Sequence, residues 1–251
     1  MLPQDMQFPY VDYFDGAGRV RPGRVLRVEG HAHTDHADGY GPARACCERA
    51  AELGLHTLVF AEHMRRGAPW RDAYFDEVEQ LKKEFAGRVR IVCGIEARAL
   101  DTAGRLDTDA ASLDRAELVV GAVHGLWGTG QGGADPFFTP GPDRALEDED
   151  ALLHGLARNA RVHVIGHPYA AYFEKFGNPP AARLRALARS AARQGKALEI
   201  NARHGDVPWM TQVLAGAAPG LLIWPASDAH LARHVGRAAH ILVPSAFNAL
   251  R

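Results

Sequence analysis

The chain has 251 residues, of which 47% are hydrophobic and 24% charged, a composition typical of an ordinary globular protein. Its formal net charge of −1 offers no bulk attraction to nucleic acid or to a membrane surface, so we expect neither as a partner. With neither a long apolar run nor a signal-peptide pattern, the sequence predicts a cytoplasmic location.

Apolar, strand-like runs alternate with helical stretches along most of the chain. Residues 1–24 are expected to form an irregular extension, and residues 25–251 a single domain. The predicted strands cover residues 25–28, 56–61, 90–95, 117–123, 162–165, 197–200 and 221–226. The predicted helices cover residues 42–53, 72–85, 147–160, 180–193 and 209–217.

This alternation predicts an α/β fold built on a parallel sheet. About seven β–α units with short connections favour a closed or nearly closed barrel, and a doubly wound open sheet is the alternative. Residues of the kind that bind metals lie at the carboxyl end of nearly every predicted strand, where barrel enzymes place their active sites. Because an open sheet would gather its site at one crevice, the barrel is the preferred prediction.

Histidines at strand ends indicate a metal site. The chain contains 13 histidines, roughly twice the number that average usage gives. His31 and His33 are two residues apart on a strand, so both rings face the same side and can reach one metal ion. Asp228 and His230 repeat this spacing after the last strand. Burying so many polar groups without a metal is costly, so the pattern predicts a metal-dependent hydrolase. Single candidates end other strands: Glu96, His124 and His167.

An ordered set of short motifs resembles those of the polymerase and histidinol phosphatase (PHP) superfamily of metal-dependent phosphoesterases. The motifs are GHAHTDHADG (30–39), FAEHM (60–64), GIEA (94–97), AVHG (122–125), GHPY (166–169), LEIN (198–201) and SDAH (227–230). The resemblance is strongest to the small stand-alone histidinol phosphatases, because no polymerase module is attached. It implies a distorted (β/α)7 TIM-like barrel with up to three divalent metal ions.

The resemblance also implies a role for each motif residue. The first metal would be bound by His31, His33, Glu96 and Asp228. The second would be bound by Glu96, as a bridging ligand, with His124 and His167. The third would be bound by Asp38, His63 and His230, with His36 as the alternative to Asp38. Glu199 and Asn201 would order the ligands rather than bind metal.

The implied chemistry is phosphate-ester hydrolysis. Imidazole and carboxylate ligands without thiolate suit two to three zinc, manganese or iron ions. Close metals support attack of a metal-bound hydroxide on phosphorus, with Glu96 and Asp228 acting through the metals. The expected substrate is a small phosphate monoester, either histidinol phosphate or another phosphorylated metabolite. A phosphodiesterase or nuclease is the alternative enzyme, and a catalytically silent metal-binding domain is a third hypothesis. The oligomeric state stays open.

Arginines near the proposed ligands are candidates for contacting the substrate phosphate, because guanidinium groups match phosphoryl oxygens. Arg203 and His204 directly follow the LEIN motif and are the preferred phosphate-contact or proton-donor residues. The other candidates are Arg65, Arg66, Arg98 and Arg233. The loop over residues 126–143 is predicted to be either a lid or a surface loop. Its aromatic candidates for a substrate contact are Trp127, Phe137 and Phe138.

Overall fold

A computed structural model of the protein describes residues 1–24, 26–125 and 141–242. Across these residues, parallel strands follow chain order in one seven-stranded sheet. The last strand returns to the first, because the amide of Ala229 donates to the carbonyl of His31 at 2.9 Å. The predicted nearly closed barrel is therefore confirmed. The strands are β1 (Val28–Ala32), β2 (Thr57–His63), β3 (Arg90–Arg98), β4 (Leu118–Ala122), β5 (Val164–Ile165), β6 (Ala197–Asn201) and β7 (Leu222–Ala226).

Helices lie before, between and after the strands of the barrel. They are α1 (Tyr10–Tyr13), α2 (Ala43–Glu52), α3 (Arg71–Glu84), α4 (Ala110–Arg115), α5 (Pro142–Arg158), α6 (Ala170–Phe176), α7 (Ala181–Arg193), α8 (Val207–Leu214) and α9 (Arg237–Leu242), with 3-10 turns at Gln4–Met6 and Ala232–His234. Helices α2 to α8 lie between consecutive strands of the barrel, α1 precedes β1 and α9 follows β7. None of the described helices is long and apolar enough to cross a membrane.

Some element bounds differ from the predicted ones. The first strand begins at Val28, where the predicted strand ends, and continues through the first histidine. The α5 helix begins at Pro142 rather than near residue 147, because a proline fits the first turn of a helix and fixes its backbone. The α4 and α6 helices are too short to show a periodic apolar pattern, so the sequence does not predict them.

Side chains at every second position of the strands fill the barrel interior, and the last inward-facing positions carry the residues of the site. Val59 and Ala61 on β2 and Val92 on β3 belong to one buried cluster. Side chains two residues apart on a strand share a face, so the face of Val59 and Ala61 continues to His63. By the same spacing, the face of Val92 continues to Glu96. The strands therefore carry these polar residues to the mouth at the carboxyl end of the barrel.

Residues 1–24 pack against the other end of the barrel. Leu2 and Met6 are buried in the same cluster as the inward-facing strand residues. The amide of Ile223, at the start of β7, donates to the carbonyl of Phe8 at 2.8 Å. The segment thus covers the amino-terminal ends of the strands, away from the mouth.

Candidate metal centre

His31 and His33 lie within and directly after β1, and both are buried. Nδ1 of His31 lies 3.0 Å from a carboxylate oxygen of Glu199, and Nδ1 of His33 lies 3.3 Å from one of Glu62. The Nε2 atom of each ring makes no well-formed hydrogen bond with a described residue. A histidine that is held by a carboxylate at one nitrogen and makes no hydrogen bond at the other has the usual environment of a metal ligand.

Glu96, on β3, presents each carboxylate oxygen to a different set of imidazoles. Its Oε1 atom lies 3.1 Å from Nε2 of His124 and 2.8 Å from Nε2 of His167. Its Oε2 atom lies 2.8 Å from Nδ1 of His63 and 3.7 Å from Nε2 of His31. Burial raises the pKa of this carboxyl, but the neighbouring histidines outweigh burial and hold the pKa well below its ordinary value. This geometry suits a bridging carboxylate.

Asp228 follows β7 and joins the first histidines to the rest of the site. Its Oδ1 atom lies 3.1 Å from Nε2 of His33 and 3.3 Å from Nδ1 of His230. The backbone of Asp228 is left-handed, with φ of 48°, and that of His167 also has a positive φ, of 22°. Such backbone strain in residues other than glycine is concentrated at functional sites, because the surrounding structure must enforce it.

The loop after β1 offers two candidates for the outer part of the site, and only Asp38 reaches it. Oδ2 of Asp38 lies 3.4 Å from Nε2 of His63 and 3.3 Å from Nε2 of His230. Nε2 of His36 lies instead 2.7 Å from the Glu77 carboxylate on α3. The structure therefore brings Asp38 to the cluster, while its alternative, His36, pairs with a helix outside it.

The clustered side chains fit divalent metal ions. The side chains form three groups, and within each group the possible ligand atoms all lie within 4.8 Å of one another. The groups are His31, His33 and Asp228; His63, Glu96 and His124; and His33, Asp38, His63 and His230. Because adjacent groups share His33 or His63, ions bound in them would lie side by side. Buried imidazole and carboxylate atoms without partners cost free energy, and a divalent ion such as zinc would satisfy them.

The sequence of the barrel matches a known family. Residues 29–203 match the model of the PHP domain. This chain belongs to the PHP domain family. A relative from Deinococcus radiodurans named a probable histidinol-phosphatase is 30% identical over 236 residues, covering 83% of this chain and 88% of the relative. A probable phosphatase from Caldanaerobacter subterraneus is also 30% identical, over 88% of this chain and 82% of that protein.

A solved structure has a similar fold. It is the crystal structure of the histidinol phosphate phosphatase from Lactococcus lactis, complexed with zinc, L-histidinol and phosphate. The two chains are 20% identical with a TM-score of 0.66, and the match covers 90% of this chain and 94% of the other. The PHP match ends at residue 203, so the proximity of Asp228 and His230 to the other candidates rests on the geometry described above.

The two residues preferred for substrate handling line the mouth of this PHP barrel. A cavity of about 270 Å³ runs from the cluster toward α6, and Arg203, His204 and Glu174 line it. Nη1 of Arg203 lies 3.7 Å from Oδ1 of Asp228. His204 is held between two carboxylates, with Nδ1 2.8 Å from Glu174 and Nε2 2.9 Å from Asp228. Both residues are therefore within reach of a substrate in this cavity.

The remaining candidates divide into two pairs. Arg65 and Arg98 line a second cavity beside the cluster. Arg66 and Arg233 are exposed and line neither of these two cavities. The aromatic loop candidates lie outside the described residues: Trp127, Phe137 and Phe138.

Two carboxylates that contact site residues are not predicted from the sequence. Glu62 accepts a hydrogen bond from the amide of Thr34 at 2.9 Å and lies beside His33. A carboxylate at the end of the apolar run of β2 is costly to bury without partners, and this cost is the signal that could have identified it. Glu174 gives no such signal, because exposed carboxylates on helices are common.

Proposed function

We propose that this PHP domain protein is a metal-dependent phosphatase that hydrolyses a small phosphate monoester. The observation that carries the proposal is the position of Glu96, whose Oε1 atom faces His124 and His167 while its Oε2 atom faces His63, an arrangement that favours ions bound side by side. Closely spaced ions suit phosphate esters, because they stabilise both the attacking and the leaving oxygen. The relative named a probable histidinol-phosphatase supports histidinol phosphate or another phosphorylated metabolite as the substrate.

The contacts support a specific set of ligands. The first ion would be held by His31, His33, Glu96 and Asp228. The second would be held by Glu96, His124 and His167. The third would be held by Asp38, His63 and His230. The imidazole and carboxylate donors suit zinc, manganese or iron, and the number of ions proposed is two to three.

The chain's own residues prepare the site for these ions. When bound, the ions supply Lewis-acid chemistry by neutralising phosphoryl charge and lowering the pKa of water. Glu199 and Glu62 fix the rings of His31 and His33 through their Nδ1 atoms, so that both Nε2 atoms face the cluster. Glu96 would hold two such ions close together.

Residues along the first cavity handle the substrate. Arg203 binds phosphoryl oxygens through its guanidinium, which offers paired N–H donors. His204, held at Nδ1 by Glu174, presents Nε2 to the cluster beside Asp228. From this position it donates a proton to the departing alkoxide.

A phosphate-release assay tests the proposed function. Metal-stripped protein is reloaded separately with zinc, manganese or iron and offered histidinol phosphate, other small monoesters and a phosphodiester. We expect hydrolysis of at least one monoester with metal and none without it. Turnover of the diester alone would make the protein a phosphodiesterase, and no turnover of any ester at full metal loading would contradict the proposal.

We expect Asp38→Ala to lose one of the bound ions and His36→Ala to keep the full complement. Asp38 contacts two proposed ligands, whereas His36 is paired with Glu77 on α3. The measurement is the metal content of loaded and desalted protein by plasma mass spectrometry. Loss of metal from the His36 variant alone would reverse the assignment.

Metal loading is expected to release protons. Burial lowers the pKa of His63, His167 and His230, but the carboxylates beside them raise it to about 10, about 9 and about 9. At pH 7.5 the metal-free rings therefore carry protons that a metal must displace, so the apparent affinity should increase with pH up to about 9 to 10. Calorimetry in two buffers of different ionisation enthalpy counts the protons, and an equal heat of binding in both buffers would contradict this expectation.

A further inference from the structure

The metal centre lies at the junction of two cavities. The first, of about 270 Å³, runs toward α6, and the second, of about 460 Å³, runs along the loop between β2 and α3. Asp38, His63, Glu96 and His124 line both cavities. A phosphate bound at the cluster therefore has two directions in which its ester group can extend, and the second direction offers more room.

Arg65 and Trp70 form one wall of the second cavity. Nε1 of Trp70 donates to the carbonyl of His63 at 3.1 Å, which fixes the indole ring beside a proposed ligand. The guanidinium carbon of Arg65 lies 5.4 Å from the centre of the Trp70 ring, within the range of a cation–π contact. Such a contact positions the guanidinium without neutralising its charge.

Arg65 differs from the other arginine of this cavity in its partners. Arg98 pairs with the Asp107 carboxylate at 2.8 Å, and both residues line the cavity. Among the residues that the structure describes, no carboxylate forms an ion pair with Arg65. A guanidinium held on a cavity wall without a carboxylate can take an anionic ligand group, which it binds through paired hydrogen bonds.

We propose that Arg65 selects phosphate monoesters whose leaving group carries a second anionic group, either a carboxylate or another phosphate. The inference rests on the proposed phosphatase function. The ester phosphate binds at the metal centre, the leaving group extends along the second cavity beside Trp70, and its anionic end pairs with Arg65. The phosphate ester of an alcohol that carries an ammonium group, as histidinol does, is then a poorer substrate for this enzyme than the ester of an anionic alcohol of similar size.

Alkyl phosphates of one chain length that end in hydroxyl, carboxylate, phosphate or ammonium test this preference on the metal-loaded enzyme. We expect the highest kcat/KM for a carboxylate or phosphate end, and the separate arms show which anion is preferred. Arg65→Glu should lower kcat/KM for the anionic esters about ten-fold or more, mainly through KM, and change the hydroxyl-ended ester little. Arg65→Lys should retain part of the preference because it keeps the charge.

Arg88→Glu is the matched control. Arg88 is also exposed and also lies over an aromatic ring, 4.8 Å from the centre of Phe85, but it follows α3 whereas Arg65 precedes it. This variant carries the same charge change and should alter the turnover of none of the esters. Equal loss toward all four esters in Arg65→Glu, or no loss, would overturn the proposal.

Binding of the matching phosphonates, which cannot be hydrolysed, separates this inference from the proposed function. Calorimetry should show tighter binding of an anion-ended phosphonate than of a hydroxyl-ended one, and Arg65→Glu should remove the difference. That result without turnover of any ester would contradict the phosphatase function alone. Turnover of the esters without any charge preference would contradict only the role of Arg65.

Discussion

Glu96→Gln is expected to remove bound metal and to lower phosphate-ester hydrolysis about 10³-fold. The two oxygens of Glu96 face different imidazoles, with His124 and His167 on one side and His63 on the other. Glutamine keeps the shape but turns an N–H₂ group toward one of these sides and carries no charge, so it cannot bridge two cations. Metal content and kcat/KM measured on the same preparation test both parts of this expectation.

Glu149→Gln provides the matched control for this substitution. Glu149, on α5, is as completely buried as Glu96, and it accepts a hydrogen bond from the amide of Tyr172 at 2.7 Å. Burial raises the pKa of Glu149 to about 7, so a neutral amide resembles its protonated form. This variant should keep its metal. Full metal content in Glu96→Gln, or equal loss in both variants, would contradict the bridging role.

The barrel and most of the site could be predicted because their signals are local. Strands such as β2, β3 and β7 are short apolar runs, and the polar residue at or after the end of each occupies the next inward position of the same period-two pattern. Val92 and Glu96 on β3 illustrate this relation, since the spacing alone carries the carboxylate to the mouth. Local order in sequence is therefore enough to place Glu96 at the mouth, whereas the assignment of Asp38 and His63 comes from the resemblance to the PHP superfamily.

The choice between neighbouring residues could not be predicted, because it depends on contacts between distant parts of the chain. Asp38 and His36 are two residues apart on one loop, and the contact of His36 with Glu77 on α3 separates them. Arg65 and Arg66 are adjacent, and the ring of Trp70 positions the first of them at the second cavity. A pattern read along the sequence does not contain these pairings.

The N-terminal segment shows the same limit, and we infer that residues 1–24 belong to the barrel domain rather than forming an extension from it. The sequence analysis predicts no strand or helix in this segment, so it also predicts no packing for the apolar residues of the segment. Leu2 and Met6 nevertheless pack with inward-facing residues of the strands, and Asp5 pairs with Arg90 at the start of β3. The segment therefore closes the end of the barrel opposite to the metal centre.

Met6→Ala is accordingly expected to lower the free energy of unfolding by about 2–5 kcal/mol, the usual cost of truncating a fully buried methionine. Met6 is 3% exposed, whereas Val11 in the same segment is 58% exposed, so Val11→Ala should change stability by less than about 0.5 kcal/mol. Chemical denaturation of the two variants at equal metal loading measures the difference. Because the segment lies away from the mouth, kcat of folded Met6→Ala protein should match that of the parent. Equal stability of the two variants would show that residues 1–24 are an extension after all.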